Sequence, residues 1–173
     1  MRKIFDLILV LLIAINLVGC NDKQGRYIST IIPLAESKPD SALALLNKID
    51  QTQLSEKAVA LYSIAYTMAQ DKSGIDVDND SLLRNAYNWY NGKPADSLYA
   101  KCEYYMGKYY ALNDSSEKAL RCFSNSVKAA KRQNDYYTQS LALVQSSLIV
   151  REYDPDLAIQ YSNDCNRFVR PVH

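Results

Sequence analysis

The sequence predicts an all-α fold, a solenoid of stacked helical hairpins, and three observations point there. Apolar residues recur at three- and four-residue spacing along most of the chain, and no segment alternates as a half-buried strand does. Gly and Pro number only five each among 173 residues, too few for a turn-rich β fold. In the stretch Ala100–Lys131, Gly107 is followed by Tyr110, then by Ala119 and Phe123. That order suits two helices that approach closely over small residues, with aromatics filling the space around the contact and a turn at Asn113–Asp114. With 48% apolar residues, the chain is long enough to bury a sizeable core as one domain.

The first residues read as an address. Met1-Arg2-Lys3 is a basic start, Leu7 to Ile15 an unbroken apolar run, and small Gly19 precedes Cys20. Even counted from Ile4 to Val18, the run falls short of the roughly 20 residues that span a bilayer, so 1–19 fits a signal peptide. Leu17-Val18-Gly19-Cys20 resembles the lipobox of bacterial lipoproteins. The resemblance implies that Cys20 is the lipidation site: its sulfur takes a diacylglyceryl group, the preceding segment is removed, and the new amine is acylated. It further implies a membrane-anchored protein of a Gram-negative-type cell envelope, on the outer membrane facing the periplasm, with residues 20–26 as a polar tether. Several acyl chains give the stable anchoring that one does not. The competing reading is an ordinary signal peptide followed by a buried or bridged cysteine.

Downstream, Tyr27–Glu36 contains Pro33 and is expected to be a partial or broken helix. Pro39 suits the first turn of a helix Asp40–Ile49, with Ala42, Leu45, Leu46 and Ile49 on one face. Ser55 is placed to cap a helix reaching about Gln70, with Ala58, Leu61, Tyr62, Ala65 and Met68 along one side. Asp71–Asn79 is the longest polar connection. Asn79 or Asp80 caps Ser81–Tyr90, Gly92 ends it, and Pro94 opens the next helix. Asp135 starts a helix to about Arg151, and Asp154-Pro155 leads into Leu157–Phe168 as a cap followed by proline at the first helical position. About eight helices result.

Ala42, Ala86, Ala119 and Ala158 occupy comparable places, separated by 44, 33 and 39 residues, an imperfect repeat near the period of about 34 expected for stacked hairpins. Glu103, Met106, Gly107 and Tyr110 match W-x2-L-G-x2-Y in degenerate form, and Ala119 and Phe123 match the second helix of the same pattern. On these residues the chain resembles the tetratricopeptide-repeat (TPR) family. The resemblance implies a right-handed solenoid of about three to four repeats over 27–170, packed through Gly107, Tyr110, Ala119 and Phe123. Glu103 stands at the family's Trp position, and its closing Pro is missing near Lys131 and Gln133. The family's inner-face positions fall on Lys101, Tyr104 and Lys108, with Tyr62 and Tyr66 from the preceding first helix. Rings for stacking and ammoniums for carboxylates suit a protein or peptide partner, and these five are the candidate groove. Packing between repeats is the alternative use of the tyrosines. An antiparallel bundle gives similar stripes but no reason for Gly, Tyr, Ala and Phe in that order.

Composition narrows the chemistry. A net charge of +1 gives no electrostatic reason for a nucleic-acid partner. The basic run Lys128–Arg132 ends a helix, where cations complement the dipole. There is no CxxC, and the sole histidine is His173, so no metal site is expected. Cys102, Cys122 and Cys165 are expected as small buried thiols, because the offset of the first two about their turn strains a bridge. The acidic run Asp76–Asp80 meets Ser81 where a calcium loop needs Gly and Tyr87 where it needs a bidentate acid. No phosphate loop, nucleophile elbow or HExxH is present. The expectation is a lipid-anchored scaffold or adaptor at the cell envelope, not an enzyme, with no cofactor and no catalytic residues. The alternative is the truncated N-terminal sensor region of a TPR-containing membrane signalling or transcriptional regulator. It is suggested by Leu157, Ile159 and Tyr161 on a last helix that no polar capping helix follows.

Overall fold

A computed structural model describes residues 23–76 and 80–169, and the regular structure among them is entirely helical. The proposed signal peptide, Cys20 and the Asn79 cap lie outside the described residues, as does most of the acidic run. Cα packing divides the chain into two compact units, the first ending at Gly74 and the second beginning at Ile75.

The first unit holds α1 (23–37), α2 (Pro39–Leu46) and α3 (Glu56–Lys72). Helix α1 already includes residues 23–26, assigned above to a tether, and it runs unbroken through Pro33. The proline forfeits a backbone bond and costs about 3 kcal/mol inside a helix. Ile28, Ile31 and Ala35, at helical spacing, are fully buried, and two buried isoleucines return about 1.5–3 kcal/mol each, enough to hold the helix together. Helix α2 has Pro39 in its first turn and stops at Leu46, leaving Ile49 in the turn beyond instead of on the helix. A short 3-10 turn, Gln51–Gln53, follows, with the Asp50 carboxylate accepting from the Thr52 N–H at 3.0 Å. Ser55 Oγ accepts from the Ala58 N–H at 3.2 Å and caps α3 as its sequence position predicts. Helix α3 is buried around most of its circumference, because small Ala58, Ala60, Ala65 and Ala69 let neighbours close in beside Leu61, Ile64 and Met68. The Ser73 hydroxyl donates to Asp40 at 2.7 Å, tying the end of α3 to the start of α2.

The second unit holds α4 (Asp80–Tyr90), α5 (Tyr99–Leu112), α6 (Ser116–Gln133), α7 (Tyr136–Val150) and α8 (Pro155–Val169). Each packs on its successor from α4 to α8, and α5 also touches α7. Gly92, at φ 76°, stops α4 in a conformation that glycine adopts without strain. Pro94 opens no helix: 94–98 is a run of turns, and Asp96 accepts from the Leu98 N–H at 3.0 Å just before α5 starts. Gln133 fastens that loop to the end of α6 by donating to the Asp96 carbonyl at 2.7 Å.

The α5–α6 turn is where the sequence places it. Asp114 takes φ 53° and the Ser115 N–H returns to the Tyr110 carbonyl at 2.9 Å. Asn134, also left-handed, closes α6, and the next residue, Asp135, caps α7 by accepting from the Thr138 N–H at 3.0 Å. Asp154 does the same for α8 through the Leu157 N–H, also at 3.0 Å. Because both α6 and α8 are reached by turns of a few residues, successive helices run back along one another.

Candidate functional site

Of the residues singled out for packing, Gly107 and Phe123 meet. An ideal Cβ on Gly107 would stand 2.5 Å from Phe123 Cε1 and 2.7 Å from Cδ1, so only glycine lets α5 lie this close to the ring. Phe123 and Ala119 are fully buried. Ser126, one turn beyond Phe123, donates to the Ala100 carbonyl at 2.8 Å, a helix-to-helix bond only a small side chain can make at this separation. Ala100 packs with Ala129 and Ala130 in a cluster flanked by Tyr99. Tyr110 is half-buried beside Tyr109, with the Lys118 ammonium 5.5 Å from its ring centre.

Several of the five candidate groove residues have intramolecular partners. Tyr62 and Tyr66 belong to the first unit, where their rings stack at 5.6 Å and 20°. Tyr62 is buried and its hydroxyl accepts from Gln51 Nε2 at 2.9 Å; burial, and then Tyr66, raises its proton affinity. Tyr66 is half-buried. In the second unit, the Lys101 ammonium lies 3.3 Å from Asp135 Oδ2 and 3.1 Å from Thr138 Oγ1, fixing α5 to the cap of α7. Burial pushes the Asp135 carboxyl up, but the Thr138 hydroxyl and N–H and the Lys101 charge together outweigh it and hold the group below its ordinary range. Tyr104 is 4% exposed, edge-on to Tyr105 at 4.9 Å and tilted against Phe123 at 6.0 Å. Lys108 is half-buried. Packing thus takes Tyr62, Lys101 and Tyr104, leaving Tyr66 and Lys108 with part of their surface in solvent.

Two features were not read from the sequence. One is an apolar strip on the outer side of α7: Tyr137, Val144 and Leu148 are 52%, 42% and 50% exposed, at the seven- and four-residue spacing of a single face. On α8, Ile159 is 59% exposed and borders a shallow cleft of about 270 Å³ with Ser147, Arg151 and Ala158. The apolar residues of α7 mark it as a helix but carry no signal for which side is covered.

The other is Glu103, 1% exposed at the centre of the α5–α6 contact. Its Oε1 receives only a long 3.4 Å bond from Asn125, and its Oε2 has no hydrogen-bond partner. Burial raises its pKa; Tyr99, Cys122 and Asn125 face it and offset part of that rise. Around it, burial pushes the Tyr87 phenol and the Cys122 thiol up to about 12, with the Glu103 charge adding to both. Burial likewise raises Tyr90, Tyr99 and Cys102. Cys102, Cys122 and Cys165 are free and buried. Among the described residues no cluster of His, Cys, Asp or Glu is arranged to hold a metal, and no helix is long and apolar enough to cross a membrane.

Compared with known proteins, the chain matches no family model, and no curated protein or solved structure is significantly similar to it.

Proposed function

We propose that this protein is a non-catalytic binding module of TPR-like hairpins, held at the cell envelope by a lipid on Cys20, that engages a protein or peptide partner. Serial packing of α5, α6, α7 and α8, with α5 reaching past α6 to α7, supports the stacked-hairpin reading. A solenoid brings the first helices of neighbouring hairpins side by side in this way. The observation that carries the binding function is the exposed apolar face of Tyr137, Val144 and Leu148 on α7. Large apolar groups grouped on one face are a surface that association buries. The inner-wall residues contribute less than their sequence positions suggest, since Lys101 and Tyr104 already have intramolecular partners.

Site-specific photocrosslinking in cells tests this. A photoreactive side chain at Leu148 is expected to give a discrete adduct, one at Lys108 a weaker one, and one at exposed Arg121 on α6 none. Equal labelling at Leu148 and Arg121, or none at Leu148, rejects the assignment. Lipidation is tested separately: Cys20→Ser is expected to abolish palmitate incorporation and release the protein from the membrane fraction.

The same strip favours a second reading, because a further hairpin would cover it in a longer chain. On that reading these residues are the sensor region of a membrane-bound signalling or transcriptional regulator. Sequencing the gene beyond codon 173 separates the two: an in-frame or frameshifted continuation into more hairpins and an apolar segment of about 20 residues favours the sensor.

A further inference from the structure

We propose that Glu103 makes the second unit responsive to pH: its carboxyl is carried neutral inside the α4–α5–α6 junction, and ionisation loosens that junction. The geometry gives a charge there little support. The side chain is 1% exposed, Oε2 is unpartnered, and Oε1 has one contact at 3.4 Å. A carboxylate tolerates burial when strong donors or a cation compensate its lost hydration, and here Tyr99, Cys122 and Asn125 offset only part of that loss.

The groups facing Glu103 are uncharged on every packed element: Tyr87 from α4, Tyr99 and Cys102 from α5 itself, Cys122 and Asn125 from α6. Of the nearby charges, Arg121 of α6 is exposed and paired with Glu117 at 3.0 Å. Helix α7, which packs on α5 and α6, brings Asp135, already joined to Lys101. A neutral acid has smaller demands. Its proton can be donated to, and its oxygens can accept from, the groups that face it, the Tyr99 hydroxyl, the Cys122 thiol and the Asn125 amide.

The pH window follows from the direction of the shift. Glu103 binds its proton more tightly folded than unfolded, where its value is the ordinary 4.5. Its stabilisation is therefore complete below pH 4.5 and is lost as pH rises through the higher folded value. The neighbours leave that window clear, since Tyr87 and Cys122 titrate near 12 and Asp135 is shifted the other way.

The test is urea unfolding of the whole mature chain between pH 4.5 and 8, followed through Trp89, the sole tryptophan and a residue of α4. For the wild type the unfolding constant should rise up to about tenfold per pH unit until the folded carboxyl ionises, then level off. Glu103→Gln, which keeps the shape and removes the proton equilibrium, should lose that rise. A variant as steep as the wild type overturns the proposal. Should Glu103→Gln fail to fold, a carbon-13 titration of the wild-type glutamate carboxyls decides: one of the five must titrate above 4.5, and all five at or below that value overturns it.

Discussion

Gly107→Ala tests the close approach of α5 to α6 because two physical effects of the substitution have opposite signs. Alanine is the better helix former by about 1 kcal/mol, so a Gly107 with free space around it gains that much on replacement. The structure provides no such space. The new methyl would lie 2.5, 2.7 and 3.0 Å from three ring atoms of Phe123, where carbon atoms settle at roughly 3.5–4.0 Å. Relief requires the ring to retreat by about 1 Å, and Phe123 is fully buried, with Tyr104 against it at 6.0 Å between ring centres. Overpacking of this kind costs about 1–3 kcal/mol, and the contact with three ring atoms puts it at the upper end. The net expectation is a loss of about 1–2 kcal/mol, measured as a lower urea midpoint of Trp89 fluorescence. Phe123→Leu alone destabilises, but in its background Gly107→Ala should cost less by at least about 1 kcal/mol, because the shorter side chain vacates the clash. A single variant that is neutral or stabilised, or a double-mutant cycle with no coupling, refutes the interlock.

Asp135→Ala removes both the α7 cap and the partner of a mostly buried Lys101, and should cost about 1–2 kcal/mol by the same fluorescence assay. Since the folded pKa of Asp135 is depressed, its stabilisation is present above the ordinary 3.8 and lost as pH falls through the folded value, so the penalty of the variant should vanish in strong acid. Ser55→Ala should cost about 1 kcal/mol through its cap, seen as faster amide exchange in the first turn of α3. Native Cys102 and Cys122 should resist a thiol reagent at pH 8 and react on unfolding, because burial raises both thiols, Cys122 to about 12; fast native labelling of either contradicts the packing.

How far the sequence could be read depended on whether the deciding interaction was local. Caps and turns are local: Ser55, Asp135 and Asp154 each accept from an N–H three positions on, and Asn113 and Asp114 turn the chain through a side-chain amide hydrogen bond to the Tyr109 carbonyl and a positive φ. Gly107 with Phe123 was legible for a related reason: glycine inside a helix is costly enough to need a close neighbour, and the hairpin spacing says which one. Pro33 shows where local rules fail. The cost of proline argues for a break, but the isoleucines at 28 and 31 outweigh it through burial, a tertiary gain that the segment does not display on its own. The candidate groove shows a different limit. The family resemblance selected Lys101 and Tyr104, but nothing in it says that Asp135 and Thr138 at the start of α7 come to meet the lysine, or that Phe123 meets the tyrosine. Glu103 is the sharpest instance. By residue type it belongs in solvent, and nothing local to it shows that the packing of α5 against α6 leaves it 1% exposed.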